Sequence, residues 1–131
     1  MEIDFVEIRI VGLEEEMTVE SPVNPSLRYV FLRLSQTPVP IWQSYFKESR
    51  RVSRHPHWRS AWIDRRFIVV ECVPQEIETT HLSDLREDVA KANQRYREYL
   101  LQQAREEIRQ QKSRLQERKH LREMKDRLKF D

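Results

Sequence analysis

The strongest constraint on this chain is its C-terminal third. From Thr80 to Phe130 there is neither Gly nor Pro, and the run is dense in Glu, Lys, Arg, Gln, Leu and Ala. These residues lose little side-chain freedom in a helix, so the run predicts one long α-helix. At about 1.5 Å per residue it would be roughly 75 Å long, more than the preceding residues can cover. The expected organisation is a compact α+β head over residues 1–101, including the first half of the helix, and a protruding charged helical arm over residues 102–131.

The apolar pattern changes along this helix. Leu82, Leu85, Val89, Ala92, Tyr96, Tyr99 and Leu100 recur at three- and four-residue steps, a wide stripe suited to lying on a sheet. Beyond Gln102 the stripe thins to Ala104, Ile108, Leu115, Leu121, Met124 and Leu128. Ile108 and Leu115 keep a seven-residue step, as do Leu121 and Leu128, but the six-residue step from Leu115 to Leu121 breaks the heptad. A strong self-contained coiled coil is therefore not encoded. Charge spacing supports the helix: Glu106 with Arg109 and Arg114 with Glu117 stand at i, i+3, Glu123 with Arg127 at i, i+4. Lys125, Arg127 and Lys129 meet the negative end of the helix dipole. The arm could be a solvated single helix, half of a dimer seam or a docking rod; because an isolated helix is marginal in water, a seam or rod is favoured, with Ile108, Leu115, Leu121, Met124 and Leu128 as its contact residues.

The 24 bases and 22 acids nearly cancel, so overall charge names no partner. Its distribution is uneven: residues 1–49 carry eight acids and four bases, residues 50–71 six arginines and two acids, residues 105–129 ten bases and five acids. No stretch reaches the ~20 apolar residues of a membrane span, and the N-terminus, with Glu2, Asp4 and Glu7, lacks the pattern of a secretory leader. No membrane association and a cytoplasmic location are expected. The single cysteine, Cys72, rules out an internal disulfide and a Cys-based zinc site. The single glycine, Gly12, rules out a P-loop or a dinucleotide-binding fingerprint, which need several glycines for close backbone approach to phosphate.

Taken in order, residues 3–11 read as a strand with Val6, Ile8 and Ile10 on one face. A long acidic connection follows, with Glu14, Glu15 and Glu16 and then the turn formers Ser21, Pro22, Asn24 and Pro25. Residues 27–34 read as a second, antiparallel strand, with Val30, Leu32 and Leu34 opposite Tyr29 and Phe31. Pro38 and Pro40 open a short helix that presents Ile41, Trp42, Tyr45 and Phe46 to the sheet. Residues 59–63 and 67–73 flank Asp64-Arg65-Arg66 as a hairpin. The nearly unbroken apolar run Phe67, Ile68, Val69, Val70, Cys72, Val73 marks a central strand covered on both sides. Pro74 ends it, and Thr80 or Ser83 is the expected cap of the long helix, with Asp84, Glu87 and Asp88 in its first turns. The fold class is α+β: a small antiparallel four-stranded sheet in the order strand-strand-helix-strand-strand-helix.

The segment from Arg50 to Arg66 interleaves cations with large aromatics: Arg50, Arg51, Arg54, His55, His57, Trp58, Arg59, Trp62, Arg65 and Arg66. Arginine forks suit phosphate and tryptophan stacks on bases, so one reading is a nucleic-acid or acidic-partner site. The other is that Trp58 and Trp62 pack internally while the arginines cover them and pair with the acidic N-terminal half. His55 and His57, with His81, Glu76 or Glu78, make only a weak metal set. Cys72 lies in the most apolar strand, where a thiol behaves as a small hydrophobe, and His120 is expected on the surface. Asp64 and Glu71 do not make a nuclease pair, because the lysine expected two residues after Glu71 is absent. No catalytic constellation and no cofactor is expected. The favoured function is a non-enzymatic protein-interaction module, an adaptor, inhibitor or assembly element that homodimerises or docks through its arm. The alternative is a nucleic-acid-binding protein using residues 50–66 and the basic arm.

Overall fold

The computed structural model describes residues 4–130, so the first residue of the strand expected at 3–11 and the last residue of the arm lie outside it. Two strands rich in β-branched and aromatic residues, β3 (Arg28–Leu34) and β5 (Phe67–Cys72), make the middle of the sheet. They pair antiparallel with Val30 opposite Val70 and Leu32 opposite Ile68. On the far side of β5 lies β4 (Ala61–Asp64), and the order is β1-β3-β5-β4, with β1 (Ile10–Leu13) at the other side. A fifth strand, the two-residue β2 (Val19–Glu20), arises inside the acidic connection and also pairs with β3. Glu20 stands opposite Arg28 there, an opposite-charge cross-strand pair. The fold is α+β, with every strand pairing antiparallel.

The first strand is shorter than its alternation suggests. It begins at Ile10, and Val6 is exposed rather than facing the core. Ile8 is buried, but its backbone is held by a side chain: its N–H donates to Asn93 Oδ1 at 3.0 Å and its carbonyl accepts from Asn93 Nδ2 at 2.8 Å. A carboxamide presents one donor and one acceptor side by side, as a neighbouring peptide would, so it replaces a strand partner. The register then shifts between Ile10 and Gly12.

One face of the sheet carries Val30, Leu32, Leu34, Ile68, Val70 and Cys72 into a shared core with helices α1 (Pro40–Ser49) and α2 (Leu82–Arg127). Pro40 opens α1, where its missing N–H breaks no bond. Of the four residues expected on its inner face, Trp42 and Phe46 are buried and stacked, Tyr45 is partly buried, and Ile41 is 38 % exposed. Positions 42 and 46 share a row on the helix surface, whereas position 41 is about 100° away. From α2 the core receives Leu85, Val89 and Ala92.

The other face explains why β5 reads as covered on both sides. Val69 is buried there, opposite Phe31 and Trp62 in register, and two edge-to-face pairs, Tyr29 with Trp62 and Phe31 with Phe67, flank it. Such pairs add about 0.5–1.5 kcal/mol each beyond area burial. Between β4 and β5 the turn residues are Arg65 and Arg66, and Arg65 takes a positive φ of 55°.

Helix α2 is not capped at Thr80 or Ser83. A π-helical turn, Ile77–His81, runs directly into it, so both residues lie inside the helical run, and Asp84, Glu87 and Asp88 have other partners. The chain divides into two compact units, Asp4–Arg97 and residues 98–130. No helix is long and apolar enough to cross a membrane.

Candidate functional site

The arginine-rich segment folds around one carboxylate. Asp88, on the sheet-facing side of α2, is fully buried and accepts from Arg50 Nη1 at 2.7 Å, Arg54 Nη2 at 2.8 Å and the Ser49 hydroxyl at 2.6 Å. A buried carboxylate is tolerable only with such charge-assisted donors around it. Burial pulls the Arg50 guanidinium below its ordinary value, while the bond and the charge of Asp88 oppose that shift. The same two guanidiniums lie against the Trp58 ring, their carbons 4.1 and 4.8 Å from its centroid. His55 bonds to Asp84 and meets the Trp58 edge. Arg54 Nη1 also lies 3.5 Å from Glu87, and neither that nitrogen nor Nε has a hydrogen-bond partner.

Arg59 is directed elsewhere. Its Nε and Nη2 fork onto Glu76 at 3.0 and 3.2 Å, and Glu76 Oε1 also accepts from the Val73 N–H and meets His81 Nε2, each at 3.2 Å. The Arg59 fork draws the Glu76 carboxyl down to about 2 and raises the guanidinium. Cys72 completes the group, its thiol pushed up to about 11 chiefly by burial. Among the described residues, Cys72, Glu76 and His81 are the one set of potential ligands close together, within 4.8 Å. The Glu76 oxygen nearest His81 is already engaged by Arg59 and Val73, which describes a hydrogen-bonded strut between β5 and the start of the helix. His55 and His57 do not converge with His81, since His55 turns to Asp84 and His81 to Glu76.

The remaining residues of the segment scatter. Arg51 and His57 are exposed, Arg65 lies beside Asp64, and Arg66 donates to the carbonyls of Leu34 and Ser35. The internal partners of Arg50, Arg54 and Arg59 are carboxylates of residues 76–88, not of the acidic N-terminal half.

Two residues organise the head in roles that the sequence reading does not give them: Asp88 is expected only as an acid near the start of the helix, and Asn93 is not named. Both interrupt the apolar stripe at helical spacing, Asp88 three after Leu85 and Asn93 four after Val89, and that interruption was the available signal. Asn93 Oδ1 also accepts the Trp42 indole N–H at 2.9 Å, so one side chain joins α2, α1 and the N-terminal segment.

In the second unit, every described residue from Glu107 onward is exposed. Ile108 is 42 % exposed, Leu115 65 % and Leu121 55 %, with Met124 and Leu128 at 46 % and 50 %. Of the three charge pairs at helical spacing, Glu106 with Arg109 closes; the other two form no ion pair among the described residues. No protein-family model, curated protein or solved structure matches the chain.

Proposed function

We propose that this chain is a non-enzymatic protein-interaction module that assembles through the distal part of α2, with a second copy as its first partner. The observation that carries the reading is the exposure of five large apolar side chains on a helix whose own unit buries none of them. At about 100° per residue, Ile108 and Leu115 fall on one side of the helix, and Leu121, Met124 and Leu128 cluster on nearly the opposite side. One zipper-like seam cannot cover both strips, so the arm is suited to one neighbour through Ile108 and Leu115 and another through the distal strip.

The test is sedimentation of the wild type and of Ile108→Glu/Leu115→Glu at two salt concentrations, with and without single- and double-stranded oligonucleotides. The wild type should sediment as a dimer or larger and the double variant as a monomer with an unchanged near-ultraviolet circular dichroism spectrum. A monomeric wild type would transfer the strips to a different protein. A second reading is supported by the exposed bases of the arm, Lys112, Arg114, Arg118, Lys119 and Arg122 among them, which form no ion pair among the described residues. A complex that forms with oligonucleotide and dissolves at high salt would favour it.

A further inference from the structure

Strand β4 is an edge strand, and its free side opens on a groove. The hydrogen bond from the Glu71 N–H to the Ser60 carbonyl, 3.0 Å, sets the phase of the ladder. In an antiparallel pair the hydrogen-bonded positions alternate, so Trp62 and Asp64 share bonds with β5 while Ala61 and Ile63 aim N–H and C=O away from the sheet. The preceding outward carbonyl, that of Arg59, is taken by Arg50 Nη2 at 2.8 Å. The groups of Ala61 and Ile63 have no such partner among the described residues, and both residues line the groove, which has a volume of about 890 Å³. Its opposite wall is a face of α1 and the turn after it, with Pro40, Gln43, Lys47 and Arg51.

The charge of the walls identifies the occupant. Arg50 is neutralised by Asp88, Arg59 by Glu76, and Glu48 by Arg95. Lys47 and Arg51, both exposed, form no ion pair among the described residues, so the groove carries two uncompensated cations beside an apolar lining that includes Trp58, Ala61 and Ile63. We infer that the head binds an extended acidic segment of a partner protein as an added strand on β4. Main-chain bonds to Ala61 and Ile63 hold the segment; alternate side chains enter the groove, where aspartate or glutamate meets Lys47 and Arg51 and large apolar residues meet Trp58 and Ile63. This surface is separate from the apolar strips of the arm, and its occupancy does not depend on self-association.

The experiment selects a random dodecapeptide library on the full-length protein, then measures the synthesised consensus peptide by fluorescence anisotropy. The expected consensus alternates apolar with acidic residues. Ala61→Pro, which removes an outward N–H and no ladder bond, should weaken it by about tenfold or more, as should Lys47→Glu/Arg51→Glu, whereas Ile108→Glu/Leu115→Glu should bind like wild type. In the wild type, the Ala61 and Ile63 amides should exchange quickly with solvent and become protected when the peptide is added, a readout that stands even where the proline variant fails to fold. Failure to enrich any sequence, a basic or charge-indifferent consensus, unaltered exchange at Ala61 and Ile63, or displacement of the peptide by an oligonucleotide would each overturn the inference.

Discussion

A carboxylate with no exposed surface is tolerable inside a protein only where donors replace its water shell, and at Asp88 they come from Arg50, Arg54 and Ser49. Asp88→Ala leaves the guanidiniums of Arg50 and Arg54 side by side without their anion, and should cost about 3–5 kcal/mol in urea unfolding. Adding Arg50→Met to that variant should restore part of the loss, because the stranded buried charge is then removed. Glu76 makes a second, pH-dependent contribution. Its carboxyl lies near 2 in the folded protein, below the ordinary 4.5, so its stabilisation is complete above about pH 5 and is lost as pH falls from 4.5 towards 2. Urea midpoints of wild type and Glu76→Gln should therefore differ most near neutrality and converge by pH 2. A constant gap would mean that the side chain acts through packing.

At the scale of elements, the β4–β5 hairpin has a two-residue turn without glycine. Arg65 sits at φ 55°, where an L side chain crowds the following carbonyl at a cost of about 1–2 kcal/mol. Arg65→Gly removes that strain but adds freedom to the unfolded chain, worth about 0.5–1 kcal/mol. The net expectation is a small rise in melting temperature with the β4–β5 register unchanged, read by calorimetry. The turn position was legible from Asp64-Arg65-Arg66, and the central strand from its apolar run; the core face of β3 followed from alternation. The early start of the helix was not legible, because the π-helical turn at Ile77–His81 is held by His81 bonding back to Glu76 and by burial of Ile77. Nor was the late start of β1, because a side-chain amide from a residue 85 positions away replaces the ladder at Ile8.

For the whole molecule, the division at Arg97 falls four residues before the expected end of the head, where the stripe of α2 gives way to sparse apolar positions. The unit Asp4–Arg97 holds all the residues of the buried core. A chain ending at Leu101 should accordingly keep the near-ultraviolet spectrum of the full protein and melt within about 5 °C of it. A collapse of that spectrum would show that the distal helix contributes to the head's own stability.

What is local and periodic can be read from the residues alone: a long helix from an uninterrupted run of helix formers, strands from alternation and β-branched residues, turns from proline and charge clusters, and the exclusion of glycine-rich phosphate loops. Which arginines are held by internal carboxylates, and that Lys47 and Arg51 instead line the groove along β4, is settled by packing. Periodicity assigns a residue to a face of its own element. The partner of a guanidinium is set by the docking of one element on another, and Arg50 meets Asp88 only after α1 and α2 have packed on the same side of the sheet.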